Sequence, residues 1–336
     1  MNIKLSIIIT SYNKAVFLNQ CLNSIYQRNN TSFEVITIND SSTDNTLSIL
    51  KKWKKKIKNF HIINLKKNKG PGICRNIGLK KAKGKFLTFC DSDDLYSKNA
   101  INEIIKNITH HPSTDWFLFN HKTFFEKPSN ILSKSQLKFF NNKKDISKNV
   151  SRLVTSFSRW NVWSYVLKTD FLLKNKIFFK NLVQLEDWVY TLELISRVNS
   201  FKIIKKYLYN YRIEKNTLGK ITGSITLNTR LITILFLLKI IFNSKRNRLK
   251  VLKKVSKDMI KICVRDFLIC SILMNDNDFK KIKIFFKKNR NILIKDKKLI
   301  NNDNFISIIH NPHKLKKIIF NVENILLKLN KNFLFF

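Results

Sequence analysis

The chain has 336 residues, 64 of them Lys or Arg against 22 Asp or Glu, for a formal net charge of +42 and a pI near 10.2. Hydrophobic residues make up 44% and charged residues 26%, so the chain buries a real core and is not wholly disordered. The length allows two domains at about 150 residues each, and the charge excludes a neutral globule.

Three partner classes fit such a charge: nucleic acid, a membrane surface, or anionic small molecules. A composition rich in Lys, Asn, Ile and Phe, with only 6 Gly and 4 Pro, is also what AT-rich coding produces with no partner at all. The basic excess is spread evenly: 12 in residues 1–110, 13 in 111–230 and 17 in 231–336. A nucleic-acid module concentrates its charge on one arm or face, so the even spread argues against nucleic acid.

The first strand signal is Lys4–Thr10, a β-branched run of the kind buried in parallel sheets. Phe17–Tyr26 has helical spacing, with Phe17, Cys21, Leu22 and Ile25 on one face. Phe33–Asn39 is a second strand, and Ser42 or Thr43 is the expected cap of a helix reaching Lys56. His61–Leu65 is a third strand, the Gly70–Gly72 turn opens a helix through Lys81, and Lys85–Cys90 is a fourth strand. This alternation predicts an α/β fold with right-handed crossovers and a mostly parallel sheet. Ligands of such sheets bind beyond the C-terminal strand ends, where Thr10–Asn13, Asn39-Asp40 and Asp91–Asp94 all fall.

Further on, Trp116–Asn120 reads as a strand and 126–150 as a polar loop. Trp160–Asn175 and Glu186–Val198 read as helices, and Ile203–Arg212 ends in an aromatic strand. From about Asn228 the pattern is apolar–basic helix: Leu231–Phe242, Leu249–Leu273, Phe279–Phe286 and Lys314–Leu329. No run reaches the roughly 18 apolar residues of a membrane span, and Met1–Ile9 lacks the features of a signal peptide. Five cysteines, Cys21, Cys74, Cys90, Cys263 and Cys270, show no C-x-x-C spacing, which suits a reducing, cytoplasmic compartment.

The densest chemistry is Asp91-Ser92-Asp93-Asp94, three carboxylates in four residues at a strand end. Asp-x-Asp there suits a hard divalent ion bridging to phosphates. The competing reading is a helix cap at Asp93 or Asp94. Asn39–Asp44 has the same two readings, binding turn or cap. Asp187 alone reads as an ordinary helical acid. The lysine run Lys51–Lys58 reads as a solvated helix face, and His310-Asn311-Pro312-His313 does not place two ligands on one helix face.

Taken together these segments resemble the family 2 glycosyltransferases, inverting enzymes of the GT-A nucleotide-sugar fold. S-I-I-I-T-S-Y-N at 6–13 looks like the family's opening strand, and I-N-D-S-S-T-D at 38–44 like its uridine turn, with Asn39 where an Asp is common. G-P-G-I-C-R-N-I-G at 70–78 looks like its Gly-rich turn and Arg-Asn pair, and G-K-F-L-T-F-C-D-S-D-D at 84–94 like its strand and D-x-D motif. V-W-S-Y-V-L-K at 162–168, L-E-D-W-V-Y at 185–190 and Y-N-Y-R at 209–212 look like its acceptor-side segments. The resemblance covers about 3–227 and does not reach 228–336.

The resemblance implies a nucleotide-sugar site at Thr10, Tyr12, Asp40, Arg75, Asp91, Ser92 and Asp93. Tyr12 would stack on uracil, Asp40 would accept its N–H, and Arg75 would touch the nucleotide. Asp91 would bond the ribose or the ion, Asp93 would ligate Mn²⁺ or Mg²⁺, and Asp187 would act as general base. Glu186, Trp188 and Arg212 would contact acceptor or diphosphate, and Trp160, Trp163 and Trp188 are either sugar-stacking or core residues.

The implied organisation is a GT-A domain over 1–227, with a nucleotide-sugar half at 1–110 and an acceptor half at 111–227. A helical basic extension would follow over 228–336. The implied activity is transfer from a UDP-sugar to a surface polysaccharide, lipooligosaccharide or lipid-linked glycan, with no nucleic-acid partner. Basic residues from Lys239 to Lys254 on an apolar helix suit either an anionic cytoplasmic membrane face or a packed bundle. The alternative function is a polyanion- or nucleic-acid-binding protein on an α/β scaffold.

Overall fold

The computed structural model describes residues 3–26, 32–134, 161–182, 185–213 and Ile240. The chain divides into two compact units, Met1–Ser224 and Ile225–Phe336. The helices expected beyond Asn228, and Trp160, lie outside the described residues apart from Ile240.

The elements of the first unit begin β1 (Leu5–Ser11), α1 (Ala15–Ile25), β2 (Phe33–Asn39), α2 (Thr46–Lys56), β3 (Phe60–Asn64), α3 (Pro71–Lys81) and β4 (Phe86–Asp91). This is the alternation read from the sequence. There follow β5 (Leu95–Tyr96), α4 (Ala100–His110), β6 (Trp116–Phe125) and β7 (Ile131–Lys134). A 3₁₀ turn at Val162–Ser164 leads into β8 (Tyr165–Lys168), α5 (Thr169–Lys174), α6 (Glu186–Arg197) and β9 (Phe201–Ile213).

One nine-stranded sheet runs β3-β2-β1-β4-β8-β6-β9-β5, with β7 beside β6. β3, β2, β1 and β4 are parallel neighbours, whereas β8 runs antiparallel between β4 and β6. Strand order reverses at β1, which lies between β2 and β4, and that reversal opens a crevice beyond their C-terminal ends. The register brings Thr10 opposite Asp91 and Ser11 opposite Asn39, so three predicted binding segments meet there. The sheet joins residues from before and after 110: β5 pairs with β9, and β4 with β8.

β1 is buried on both faces, as its Leu5–Ile9 run of Leu and Ile about a buried Ser6 requires. Leu5, Ile7 and Ile9 share a core with Leu18, Cys21, Leu22 and Ile25 of α1. The buried stripe of α1 thus includes Leu18, while Phe17 stays half-buried. Ile8 faces the opposite layer, where α3 comes so close that a Cβ on Gly78 would stand 2.4 Å from Ile8 Cγ2. The other conformational glycine is Gly70, whose φ of +81° turns the chain into Pro71 at the start of α3.

Two local expectations are corrected. The helix expected over 160–175 is a 3₁₀ turn, a strand and a helix of six residues. Tyr165, Val166 and Leu167 are buried between β4 and β6, and so short an apolar run has no period to separate strand from helix. Neither Ser42 nor Thr43 opens α2, which starts at Thr46. Asp44 serves that end, accepting the Thr46 N–H at 2.9 Å and the Ala15 N–H at 3.0 Å. Within the segment read as loop, Ile131–Lys134 forms an exposed edge strand.

The Gly78 contact sets a steric limit. Gly78→Ala is expected to cost about 1–3 kcal/mol through overpacking against Ile8, measurable as a lower midpoint in urea unfolding.

Candidate active site

The crevice at the strand ends is a cavity of about 1060 Å³. Its lining includes Thr10, Tyr12, Asp40, Arg75, Asp91, Ser92 and Asp93, which is the whole predicted nucleotide-sugar set. Lys14, Asn68, Lys69, Asn181 and Leu182 also line it. Tyr12 is 48% exposed at the mouth, so its ring is open to a planar partner.

The turns after β1 and β2 clasp one another. Asn13, at φ +52°, accepts the Thr43 N–H through Oδ1 at 2.8 Å, and its own N–H donates to Ser42 Oγ at 3.0 Å. Asp40 is buried, and its carboxylate accepts the N–H groups of Lys69 at 2.8 Å and Gly70 at 2.9 Å. It therefore shapes the loop that forms the cavity wall. Each carboxylate oxygen has a second lone pair for a ligand N–H. Cys74 sits nearby with its thiol pushed up to about 12 by burial and the Asp40 charge, which makes it an inert packing group. All three free cysteines among the described residues are buried.

Arg75 is the hub of the site. It is 4% exposed, and its guanidinium binds three carboxylates: Asp91 at 3.0 Å, Glu186 at 3.0 Å and Asp187 at 2.9 Å. α3 supplies the arginine, β4 supplies Asp91, and the first turn of α6 supplies the other two acids. A helix N-terminus favours carboxylates there. Burial disfavours the arginine's charge, but the three acids outweigh it and hold the group protonated. Asp187 is pushed up to about 8, first by burial and then by Glu186 and Asp91, with Arg75 opposing. The backbone of Val162 also bonds the Asp187 carboxylate. Burial likewise raises Asp91, again against Arg75.

The three acids of the 91–94 turn do different work. Asp91 pairs with Arg75, and Asp93 pairs with Lys14 Nζ at 2.7 Å. Asp94 is fully buried and accepts the Arg212 N–H at 2.7 Å and the Tyr209 hydroxyl at 2.9 Å. Neither Asp93 nor Asp94 caps a helix, since α4 starts at Ala100 behind Asn99.

Arg212 is not among the residues that line the cavity, and neither are Glu186, Asp187 and Trp188. The Arg212 guanidinium lies 4.6 Å from the Phe17 ring centre and 4.7 Å from that of Phe124. Nε donates to the Asp93 carbonyl, Nη1 to the Glu126 carbonyl and Nη2 to Gln20 Oε1. These bonds make it a clamp on the acidic turn. Trp163 is core, stacked on Tyr209 at 4.6 Å and Tyr211 at 5.3 Å. Trp188 is half-buried and lies beside Asp187 on α6.

Sequence reasoning overlooked Lys14, the clamping role of Tyr209, and the wall residues Lys69 and Asn181. Lys14 adjoins the Tyr12-Asn13 motif, which is the signal that marks it among 64 basic residues.

Among the described residues no group of three or more ligands clusters. Asp91 and Asp93 supply two carboxylates at the cavity surface, with side chains 30% and 25% exposed. One or two carboxylates completed by substrate phosphates and water is the usual Mg²⁺ arrangement, so the residues fit such an ion.

The sheet order and the crevice at the switch of strand direction are those of the GT-A architecture. Staphylococcus aureus TarS 1–349, solved with UDP-GlcNAc, superposes with a TM-score of 0.62 at 23% identity, covering 76% of this chain and 71% of that one. Residues 6–162 match the family model described as glycosyl transferase family 2.

A poly(ribitol-phosphate) beta-N-acetylglucosaminyltransferase, TarS of S. aureus strain MW2, is 30% identical over 216 residues, 63% of this chain and 36% of the relative. A poly(ribitol-phosphate) beta-glucosyltransferase of Bacillus spizizenii is 29% identical over 217 residues, 63% of this chain and 33% of the relative. The chain thus spans about a third of the length of these curated relatives.

The arginine hub predicts a charge-dependent stability. Arg75→Met leaves three acids without their cation and is expected to cost about 3–5 kcal/mol at neutral pH in urea unfolding. The loss should shrink as pH falls, because protonated carboxyls need no counter-charge, and Arg75→Lys should recover part of it.

Proposed function

We propose that the chain is an inverting glycosyltransferase. It moves a hexosyl or N-acetylhexosaminyl group from a UDP-sugar to a surface polysaccharide or lipid-linked glycan. The observation that carries this reading is Arg75, which joins Asp91 of the cavity to Asp187 through one guanidinium. A donor-side and an acceptor-side carboxylate are thereby fixed relative to each other. The named activities of the relatives, N-acetylglucosaminyl and glucosyl transfer to poly(ribitol phosphate), support the sugar class.

In this reading Tyr12 packs on the uracil, and Asp40 accepts its N–H. Asp91 and Asp93 would hold Mn²⁺ or Mg²⁺ beside the diphosphate. That ion would offset negative charge on the departing UDP. Asp187 Oδ takes the proton of the acceptor hydroxyl. The acceptor oxygen bonds to the anomeric carbon from the face opposite UDP, the bond from that carbon to the phosphate oxygen breaks, and configuration inverts. Glu186 shares Arg75 and sets the charge around the base.

Asp187 near 8 is matched to a base working close to neutral pH, because a carboxylate of raised pKa takes a proton more readily than an ordinary one. Among the described residues no helix is long and apolar enough to cross a membrane. The basic 231–254 segment supports attachment at an anionic membrane face, with transfer on its cytoplasmic side.

UDP release from a panel of UDP-sugars, assayed with a phosphopolyol glycan acceptor, tests the reading. Asp187→Asn is expected to lower the rate by about 10²–10⁴ while leaving UDP affinity near wild type. The base must be ionised, so kcat/KM for acceptor should rise with pH up to about 8 and then level off. Full turnover by Asp187→Asn, or a flat profile below that pH, contradicts the assignment.

A further inference from the structure

The basic excess of residues 1–110 is not spread through them. Residues 45–90 hold 14 Lys or Arg and no Asp or Glu, whereas the rest of 1–110 holds 5 basic and 7 acidic residues. Compositional drift adds lysine everywhere; it does not clear one stretch of acids and leave them on either side. In the fold this stretch is α2, β3, α3 and β4 short of Asp91, and β3 is the end strand of the sheet. All 13 of its lysines are exposed, and its one arginine, Arg75, is buried in the hub.

α2 packs on β3. Lys51, Lys54 and Lys55 share one face of α2 by their three- and four-residue spacing, and Lys58 follows just past its end. Lys83 comes to the same edge from beyond α3. Its N–H donates to Glu34 Oε1 at 2.7 Å, and Glu34 Oε2 lies 3.3 Å from Nε2 of His61 on β3. Burial first depresses the His61 imidazole, Glu34 raises it, and the charges of Lys54 and Lys83 depress it further. Cations from α2 and from beyond α3 thus meet at this edge. Carboxylates beside them are already spent. Glu34 is buried and also accepts the Ser6 hydroxyl at 2.7 Å, while Asp44 accepts the Ala15 and Thr46 N–H groups. Among the described residues none of Lys51, Lys54, Lys55, Lys58 and Lys83 forms an ion pair.

We propose that this flank of the first unit is a docking face for an anionic lipid surface. The choice of partner rests on the membrane attachment proposed above, and the contact lies outside the 231–254 segment. A charged leaflet is a diffuse field that rewards several exposed ammonium groups and requires no fitted pocket. Nucleic acid is read by arginine forks and open aromatic rings. This flank offers neither, since its arginine is buried and Trp53 is half-buried, stacked on Tyr26 at 5.7 Å with Nε1 bonded to Asn19 Oδ1. The large exposed apolar residues among the described ones, Tyr12, Val16, Ile131, Leu132 and Leu173, lie outside 45–90, so the contact is one of charge at the headgroups without insertion. Protection of the sheet edge explains less, because β3 itself carries no lysine.

The test is sedimentation of the full chain with vesicles at about 0.15 M salt. Vesicles of phosphatidylcholine alone are compared with vesicles of equal parts phosphatidylcholine and phosphatidylglycerol. Wild type is expected to bind only the second kind and to come off as salt rises. The combined variant Lys51→Gln, Lys54→Gln, Lys55→Gln and Lys58→Gln is expected to bind about tenfold weaker or worse. Arg at the same four positions keeps the charge and should bind like wild type. A control carrying Lys98→Gln, Lys106→Gln, Lys174→Gln and Lys202→Gln should stay within about threefold of wild type. Circular dichroism confirms each fold. Lys51→Gln with Lys55→Gln, expected to bind about threefold weaker, replaces the fourfold variant should that not fold.

Unchanged vesicle binding by the folded α2 variant overturns the proposal. An equal loss in the control does so too, because the effect is then one of total charge. Lys245→Gln, Arg246→Gln, Lys250→Gln and Lys253→Gln, combined, separate the two readings. If that variant loses the vesicles and the α2 variant keeps them, membrane attachment stands and this face falls. If both lose them, both contacts are supported. If wild type binds no anionic vesicles, both readings fall. If wild type prefers duplex DNA to anionic vesicles and the α2 variant loses that preference, the flank is a nucleic-acid surface and the proposal is overturned.

Discussion

The interaction on which the rest depends is one guanidinium shared by three carboxylates. Arg75 stands in the middle of α3, a helix placed by the close packing of Gly78 on Ile8. From there it reaches β4 on one side and the first turn of α6 on the other. Three acids gathered without a cation would repel and take up protons. With it they are held together, while burial first and then the charges of Glu186 and Asp91 raise Asp187. Stability and chemistry therefore rest on the same contact.

Around that contact the acidic turn is divided among separate tasks. Asp91 is tied to the hub, Asp93 looks into the cavity, and Asp94 is consumed by the fold. Asp94 and Arg212 grip the same turn from opposite directions, one accepting from β9 and the other donating to Asp93. The cation–π contacts of Arg212 with Phe17 and Phe124 hold that grip against water. The turn thus lines the cavity and forms a structural joint at once.

Much of this was legible from sequence. The alternation through β4 was visible because parallel strands buried on both faces leave long apolar runs. Part of the cavity lining was visible because polar residues cluster at strand ends, whereas Arg75, in mid-helix, was marked only by the family resemblance. Other features had no local signal. Tyr165–Leu167 is too short to display a period, and its strand identity comes from insertion between β4 and β6. The enclosure of Arg212 had no local signal because the rings around it lie 88 and 195 residues away in the chain, at Phe124 and Phe17. Whether an arginine binds substrate or braces a turn depends on such distant partners.

β9 has a consequence for how the protein is made. Its Tyr209 and Arg212 close the turn at 91–94, and its pairing with β5 seals that edge of the sheet. The acidic turn is synthesised more than a hundred residues before the strand that secures it. A ribosome-bound chain that has emerged only through β4 already holds the four parallel strands, yet its acidic turn is unclamped. Contacts of such sequence separation form late and slow the folding of the whole unit. The crevice at the strand ends is therefore among the last parts of the fold to mature, because its acidic turn is closed only after β9 has left the exit tunnel.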